Sequence, residues 1–520
     1  MKKLVSLLMV LAMLLSIAPA AFAESTATDY ASWFPGVDTS EHVVITMLVT
    51  GNVPTNKTDE VLAAFNEKLT AAINAELRIQ WIEWADWQTK YQLALAMQDG
   101  SIDLVGTATD WLYAWDNARN GGFMPLSEDM LAKYAPKTYA SVSPAHWDMC
   151  KYDGQIYFAP EDNYAQWTNH GFMYRGDWAT AAGIPNGDVM GWDDMGKYLQ
   201  YIKDTYPDVI PWDADGSGSS YSPQVAGGYM ADKEGMINIE GLPVSLFYGT
   251  KDAPYTLSRA FLEGDTLVNF AVQQKAWADA GYWREDVLNY TGDQRDLMET
   301  GLSGVQQHHT QTWRTNRTRM ATRQPGSDLR FYWFGKESGA LVSLNITHGA
   351  MAVAGQSKNP ERALMVYDLI RNDPTFYDLF NYGIEGEQYI VKDGFLARPD
   401  TYKDDTTDGV SFDYWWGRND DLEIRSSEVD WVAYDALLAN EYDPVKIDYP
   451  YGKLVFNIDP ISSELDNVTN VYNTYMPVIT FGKAADPVAY VAEFRQALLD
   501  AGIEKVMTEV QAQIDAVYGK

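Results

Sequence analysis

Between Val43 and Val105 the hydrophobic pattern changes period four times, and this alternation restricts the fold more than any other feature of the chain. Val43-Val44-Ile45-Thr46-Met47-Leu48-Val49 is β-branched, apolar and uninterrupted, the pattern of a strand buried on both faces. Gly51 and Pro54 break it. Val61, Phe65, Leu69 and Ile73 then recur every four residues, one stripe of an amphipathic helix. Leu77 to Ile82 alternates like a strand, a second helical pattern covers Trp87 to Met97, and Ile102-Asp103-Leu104-Val105 is a third short strand. A β-α-β-α-β order predicts an open parallel sheet flanked by helices, and ligands of such sheets lie beyond the carboxyl ends of the strands. The residues there are polar and aromatic: Thr50, Gly51 and Asn52 after the first strand, Trp84, Asp86 and Trp87 after the second, and Thr107, Thr109, Asp110, Trp111 and Trp115 after the third.

The chain has 520 residues, too many for one ordinary core, so two or more lobes are expected. With 72 Asp and Glu against 39 Lys and Arg, its formal charge of −33 repels phosphate backbones and anionic headgroups, which argues against nucleic-acid partners. A single cysteine, Cys150, rules out intramolecular disulfides and Cys-based zinc clusters. Met1-Lys2-Lys3, the apolar run Leu4 to Ile17 and the terminal Ala21-Phe22-Ala23 read as a secretory signal peptide over residues 1–23, cleaved after Ala23. Glu24 then stands where a lipidated protein carries cysteine, and residues 24–40 are a spacer. No later run reaches about 18 apolar residues, so stable membrane insertion is not expected.

Farther along, residues 206–256 are rich in Gly, Ser, Asp and Pro and weak in periodicity, and read as surface loop with small elements. Asn359-Pro360 and Asp486-Pro487 each place a capping side chain before a proline at the first helical position. Gly502 ends the second of these helices, and Ile503, Val506, Val510, Ile514 and Val517 stripe a last one.

Several segments together resemble a known family. Ala96-Met97-Gln98-Asp99-Gly100-Ser101-Ile102-Asp103-Leu104-Val105 is similar to a helix-turn-strand passage of the extracellular solute-binding proteins of bacterial ABC importers. Tyr152 to Pro160, with Phe172-Met173-Tyr174-Arg175 and Ala182-Gly183-Ile184-Pro185, resembles the passage where that family crosses between lobes. Ser357 to Leu364 and Asn381 to Tyr389 look like its family-1 branch, and Ala501 to Val506 with Glu509 to Asp515 resembles the C-terminal domain of a long-chain subgroup. The resemblance implies a two-lobed α/β fold of the periplasmic-binding-protein type II kind, with a cleft that closes on its ligand and a helical C-terminal extension. It also implies a secreted, monomeric, non-enzymatic receptor without cofactor, whose partners are a ligand and ABC permease subunits. On this pattern lobe I is expected over residues 41–163 and about 295–350, lobe II over about 164–294 and 351–450, and the C-terminal domain over about 451–520, packed on the lobes.

The 18 tryptophans favour a carbohydrate, and an oligosaccharide in particular, because sugar C–H faces stack on indoles while carboxylates, amides and Arg take the hydroxyls. Candidate ligand residues are Trp84, Trp87, Asp110, Trp111 and Trp115 at the strand ends, Glu161, Asp162 and Trp167 near the lobe crossing, and Trp283, Trp313, Arg314 and Trp333 as opposite walls. Arg314, Arg317, Arg319 and Arg323 read either as a solvated helix face paired with acids or as a clamp for a carboxylate-bearing ligand. Trp415-Trp416 fits either cleft or core. His308-His309 are adjacent and so poorly spaced for one metal, and Asp213-Ala214-Asp215-Gly216-Ser217-Gly218 opens like a calcium loop whose twelfth position is Gln224 rather than Glu, so no metal is expected. The alternatives are a receptor for peptides or amino-acid derivatives and a secreted glycoside hydrolase. A hydrolase needs two carboxylates about 5–10 Å apart, which an acid-rich chain supplies by chance, and no other catalytic motif appears.

Overall fold

The structure, a computed structural model, describes residues 29–519 apart from 85–86, 163–166, 168, 215–220, 291–293 and 413. The expected signal peptide, Asp86 and Asp215 lie outside the described residues. The strands of the two main sheets are β1 (Val43–Thr50), β2 (Ala75–Ile82), β3 (Leu104–Thr107), β4 (Phe158–Pro160), β5 (His170–Arg175), β6 (Val305–His309), β7 (Leu329–Trp333) and β8 (Ala350–Val353).

The first lobe follows from the periodicity. β1 pairs in parallel with β2 over its whole length, from Val43 opposite Ala75 to Thr50 opposite Ile82, and takes β3 on its other side. Helix Thr58–Ile73 buries Val61, Phe65, Leu69 and Ile73, the stripe read from the sequence. Asn74 ends it in the left-handed region, its N–H donating to the Thr70 carbonyl at 2.9 Å, so β2 starts one residue later. The finished sheet runs β2-β1-β3-β8-β4, with β8 antiparallel to both of its neighbours. Helices Pro360–Asn372 and Pro374–Asn381 close the same core.

The second lobe centres on the antiparallel sheet β6-β5-β7. Its core includes Trp192, fully buried, with its indole N–H donating to Asp232 at 2.7 Å, and Trp212. The C-terminal helices Ser462–Thr480, Pro487–Asp500 and Ile503–Tyr518 add Met476, Phe494, Val506 and Ile514 to that core. Asp486 caps the middle helix by accepting from the Val488 and Ala489 N–H groups at 3.0 Å each. Gly502 makes the next turn with φ of 92°, where a Cβ would press on the Glu464 side chain at 2.8 Å.

The lobe division differs from the sequence expectation after residue 295. Residues 305–309 and 329–333, read there as lobe I, flank β5 in the second sheet, whereas 350–353 and the helices after it, read as lobe II, complete the first. Periodicity identifies a buried strand but carries no information on which open sheet edge receives it. Among the described residues no helix is long and apolar enough to cross a membrane.

Candidate functional site

The carboxyl ends of β2 and β3 face a cleft of about 940 Å³ between the lobes. Trp84, Asp110, Trp111, His348 and Trp415 line it from the first lobe, and His170, His309, Gln311 and the segment 236–245 line it from the second. The first-lobe wall is built of indoles. Trp84 stacks on Trp111 with centroids 6.1 Å apart and planes 26° apart, and Trp415 lies 5.8 Å from Trp84 and 6.4 Å from Trp111. Trp87 meets Trp111 edge-on at 5.4 Å. Beneath them, buried Trp416 packs against Trp415 at 5.4 Å and against β3, where it needs Gly106: a Cβ there would meet its ring at 2.5 Å.

Beside the indoles stands a cluster of ionisable groups. His348 Nδ1 and Asp110 pair at 2.7 Å. Burial pulls the imidazole down, but Asp110, helped by the nearby carboxyls, outweighs it and holds His348 at about 9, so it is charged at neutral pH. Glu240 comes from the second lobe and accepts from Asn345 Nδ2 at 3.4 Å, while its N–H donates to the Tyr449 hydroxyl at 2.9 Å. Burial, then the charge of Asp110, pushes its carboxyl up to about 8. Glu161, buried and within reach of the charge of His348, is likewise pushed up to about 8 by burial. The Glu240 carboxyl and the Asp110–His348 pair therefore supply both donors and acceptors at the cleft. On the opposite wall burial pulls His170 down to about 4, so it is neutral, and Gln307 Nε2 holds its Nδ1 at 2.7 Å. His308 and His309 lie beside it, their own rings 4.2 Å apart.

A second chamber, about 490 Å³, adjoins the cleft and shares Asp110, Trp111, Glu240, Leu242, Pro243 and Tyr449 with it. Its far walls are Trp87, Tyr113 and Trp115 on the first lobe and Tyr451, Phe456 and Leu465 toward the C-terminus. The Arg119 guanidinium spans these walls, donating to the Phe456 carbonyl and to Asp116.

Of the candidates read from the sequence, Trp84, Asp110 and Trp111 line the cleft and Trp87 and Trp115 the chamber. The others are placed elsewhere. Trp167 is buried edge-on to Tyr442 at 4.9 Å. Trp283 is core, donating to the Phe481 carbonyl at 3.2 Å, and Trp313 and Trp333 are buried with their indole N–H groups on the Leu329 carbonyl and Glu441. Glu161 sits behind the cleft wall, and Asp162 pairs with His146. Arg314 lies over the rings of Trp431 and Tyr434 at 4.9 and 5.2 Å, while Arg317 pairs with Asp430 at 2.8 Å and Arg319 and Arg323 with Glu299, the solvated-face alternative. Buried Asp213 is engaged by Arg284 at 2.7 Å and by the Tyr290 hydroxyl at 3.1 Å. Among the described residues no group of three or more His, Cys, Asp or Glu is placed to hold a metal ion. Nothing in the sequence singles out His170, Glu240 or His348, and Trp415 fits either cleft or core there. The adjacent His308-His309 is the sequence signal for this wall, although its spacing speaks only to a metal.

Residues 450–518 match a domain family described as "Domain of unknown function (DUF3502)". The chain is 25% identical over 500 residues to a carbohydrate ABC transporter substrate-binding protein of Streptococcus pneumoniae, covering 92% of this chain and 91% of that one. The crystal structure of the N-glycan transport solute binding protein NgtS of S. pneumoniae superposes with a TM-score of 0.69 at 20% identity, covering 91% of this chain and 98% of the other. NgtS has also been crystallised with Man1GlcNAc and with Man5GlcNAc. An extracellular solute-binding protein of Bifidobacterium longum subsp. infantis superposes with a TM-score of 0.63 at 15% identity, covering 92% and 99%. The fold is that of the two-lobed solute-binding proteins.

Proposed function

We propose that this chain, a relative of the carbohydrate substrate-binding proteins of ABC importers with their two-lobed fold, is itself an extracellular receptor that captures an oligosaccharide between its lobes and delivers it to a membrane permease. One observation carries this reading: three indoles, Trp84, Trp111 and Trp415, from three separate chain segments, converge on the cleft next to the Asp110–His348 pair. A pyranose stacks its C–H face on such a surface while its hydroxyls reach the paired charges and the neutral carboxyl of Glu240. Because the wall of indoles belongs to the first lobe and His170, Glu240 and His309 to the second, a bound glycan contacts both. Its binding energy then favours the lobe arrangement in which both sets are engaged, and that arrangement is what a permease recognises.

The receptor needs no covalent chemistry, so the function is non-enzymatic. In the same reading the chain is exported by residues 1–23, cleaved after Ala23, and acts as a monomer outside the cytoplasm without a lipid anchor. Calorimetric titration of residues 24–520 with a glycan panel that includes Man1GlcNAc and Man5GlcNAc tests it, with mass spectrometry of the glycan afterwards. Saturable binding of one glycan per chain with its mass unchanged is expected. Shortened glycans would establish a hydrolase instead, and binding of peptides with silence toward every glycan would establish the peptide receptor.

A further inference from the structure

Residues 446–458 run along the junction of the two lobes before the C-terminal helices begin. Lys446 and Ile447 pair in parallel with Leu341 and Val342, beside the segment that carries Asn345 and His348. The side chains that follow take opposite sides: Tyr451, Leu454 and Phe456 enter the second-lobe core, while Val455 packs on the first-lobe core. Gly452 lies so close to the first lobe that a Cβ there would stand 1.9 Å from the Met149 methyl. Two polar ties hold the far end of this stretch. On one side the Arg119 guanidinium, from first-lobe helix Ala114–Arg119, donates to the Phe456 carbonyl and is held in turn by Asp116. On the other side the Gln513 amide of helix Ile503–Tyr518 takes both backbone groups of the next residue. Asn457 N–H donates to Gln513 Oε1 at 2.8 Å, and Gln513 Nε2 donates to the Asn457 carbonyl at 2.8 Å. Two bonds from one planar amide fix Asn457 in position and direction, as a neighbouring strand would. That helix is anchored on the second lobe: Gln511 accepts from Leu257 N–H at 2.8 Å and donates to the Tyr255 carbonyl at 2.9 Å, and Val506, Val510 and Ile514 lie in the second-lobe core. The tie from the first lobe therefore ends on a peptide immobilised by the C-terminal domain.

We propose that the C-terminal domain anchors an interlobe strap, in which Gln513 holds Asn457 so that Phe456 presents its carbonyl to Arg119, and that this strap keeps the lobes in the arrangement seen here before any ligand binds. Gln513 lines neither cavity and is a positioning residue that acts through the backbone of residues 456–457. A hydrogen bond from a charged donor is among the stronger ones a protein makes, and its loss shifts a two-state lobe equilibrium by about tenfold. The strap belongs to the ligand-free chain and gives the domain of unknown function a mechanical role.

The test measures the distance between nitroxide labels at Lys68→Cys on the first lobe and Lys197→Cys on the second, both exposed helix positions, by double electron–electron resonance on residues 24–520 without glycan. Cys150 is buried and stays unlabelled. Gln513→Ala and Arg119→Ala should each raise the ratio of longer to shorter distances about tenfold. The double variant should raise it no further than the larger single, because both cut the same strap. Arg119→Lys, which keeps a donor for the carbonyl, should bring the distances back toward the parent's. Lys505→Ala is the control: its side chain pairs with Glu464 at 2.7 Å within the C-terminal domain, and its removal should leave the distances unchanged. Unchanged distances in both single variants would overturn the strap, and so would an additive double variant or an equal change in Lys505→Ala. None of these measurements uses a glycan, so the strap and the receptor reading can each fail without the other.

Discussion

Trp111→Ala is the substitution whose effect the cleft geometry defines most closely. Trp111 touches three other indoles, Trp84, Trp87 and Trp415, and lines both the cleft and the chamber, while remaining half-buried. A fully covered tryptophan buries about 150–250 Å², so one ring face covered by a pyranose amounts to about 80 Å². At about 25 cal/mol per Å² that face contributes about 2 kcal/mol to binding, or about 30-fold in Kd. The loss of its support for Trp84 and Trp415 adds to this. The expected result is therefore a 30- to 100-fold weaker Kd for an oligosaccharide by calorimetry. Trp178→Ala serves as the control, because Trp178 stacks on Tyr206 at 4.6 Å and lines neither cavity, and its Kd should stay within twofold. A Trp111→Ala protein that keeps its melting temperature and binds glycan as tightly as the parent would refute the argument that the indole wall holds the ligand.

Trp283→Ala should do the reverse: about 3–5 kcal/mol of stability lost by chemical denaturation, because the ring is core and its N–H donates to Phe481, with glycan affinity unchanged. Gly106→Ala puts a methyl 2.5 Å from the Trp416 ring and should cost about 1–3 kcal/mol while weakening glycan binding through Trp415; an unchanged melting temperature would show that Trp416 has room to shift. Glu240 has a folded pKa raised from 4.5 to about 8, so it contributes stability that is fully present below about pH 4.5 and is lost as pH rises through 8. His348, raised from 6.5 to about 9, acts in the same direction at higher pH. The melting temperature of the parent relative to Glu240→Gln should accordingly fall between pH 5 and pH 9, and a constant or rising difference would contradict the burial of a neutral carboxyl at this position.

The first lobe was legible because each element announces itself locally. Val61, Phe65, Leu69 and Ile73 show a period, and Asp110 and Trp111 follow a strand whose end must open on a cleft. The second lobe was not, because its sheet joins strands far apart in sequence, 170–175 with 305–309 and 329–333, and nothing within those runs names the partner. The same reason misplaced the tryptophans. Trp167, Trp283 and Trp333 share their residue type with Trp84 and Trp111, yet what separates core from cleft is the neighbour supplied by a distant segment: Tyr442, Phe481 and Glu441. His348 and Glu240 become site residues only because the fold brings them to Asp110 and Asn345, 238 and 105 positions away in the chain. The number of tryptophans overstated the indole wall, since the second lobe keeps Trp192, Trp212, Trp277 and Trp283 for its core.

The most direct test of capture between the lobes is hydrogen–deuterium exchange with and without a saturating oligosaccharide. Capture between the lobes should protect, at the same time, peptides covering residues 107–115 on the first lobe and residues 236–245 and 305–312 on the second. Protection confined to one lobe, or to surfaces outside these loops, would contradict it.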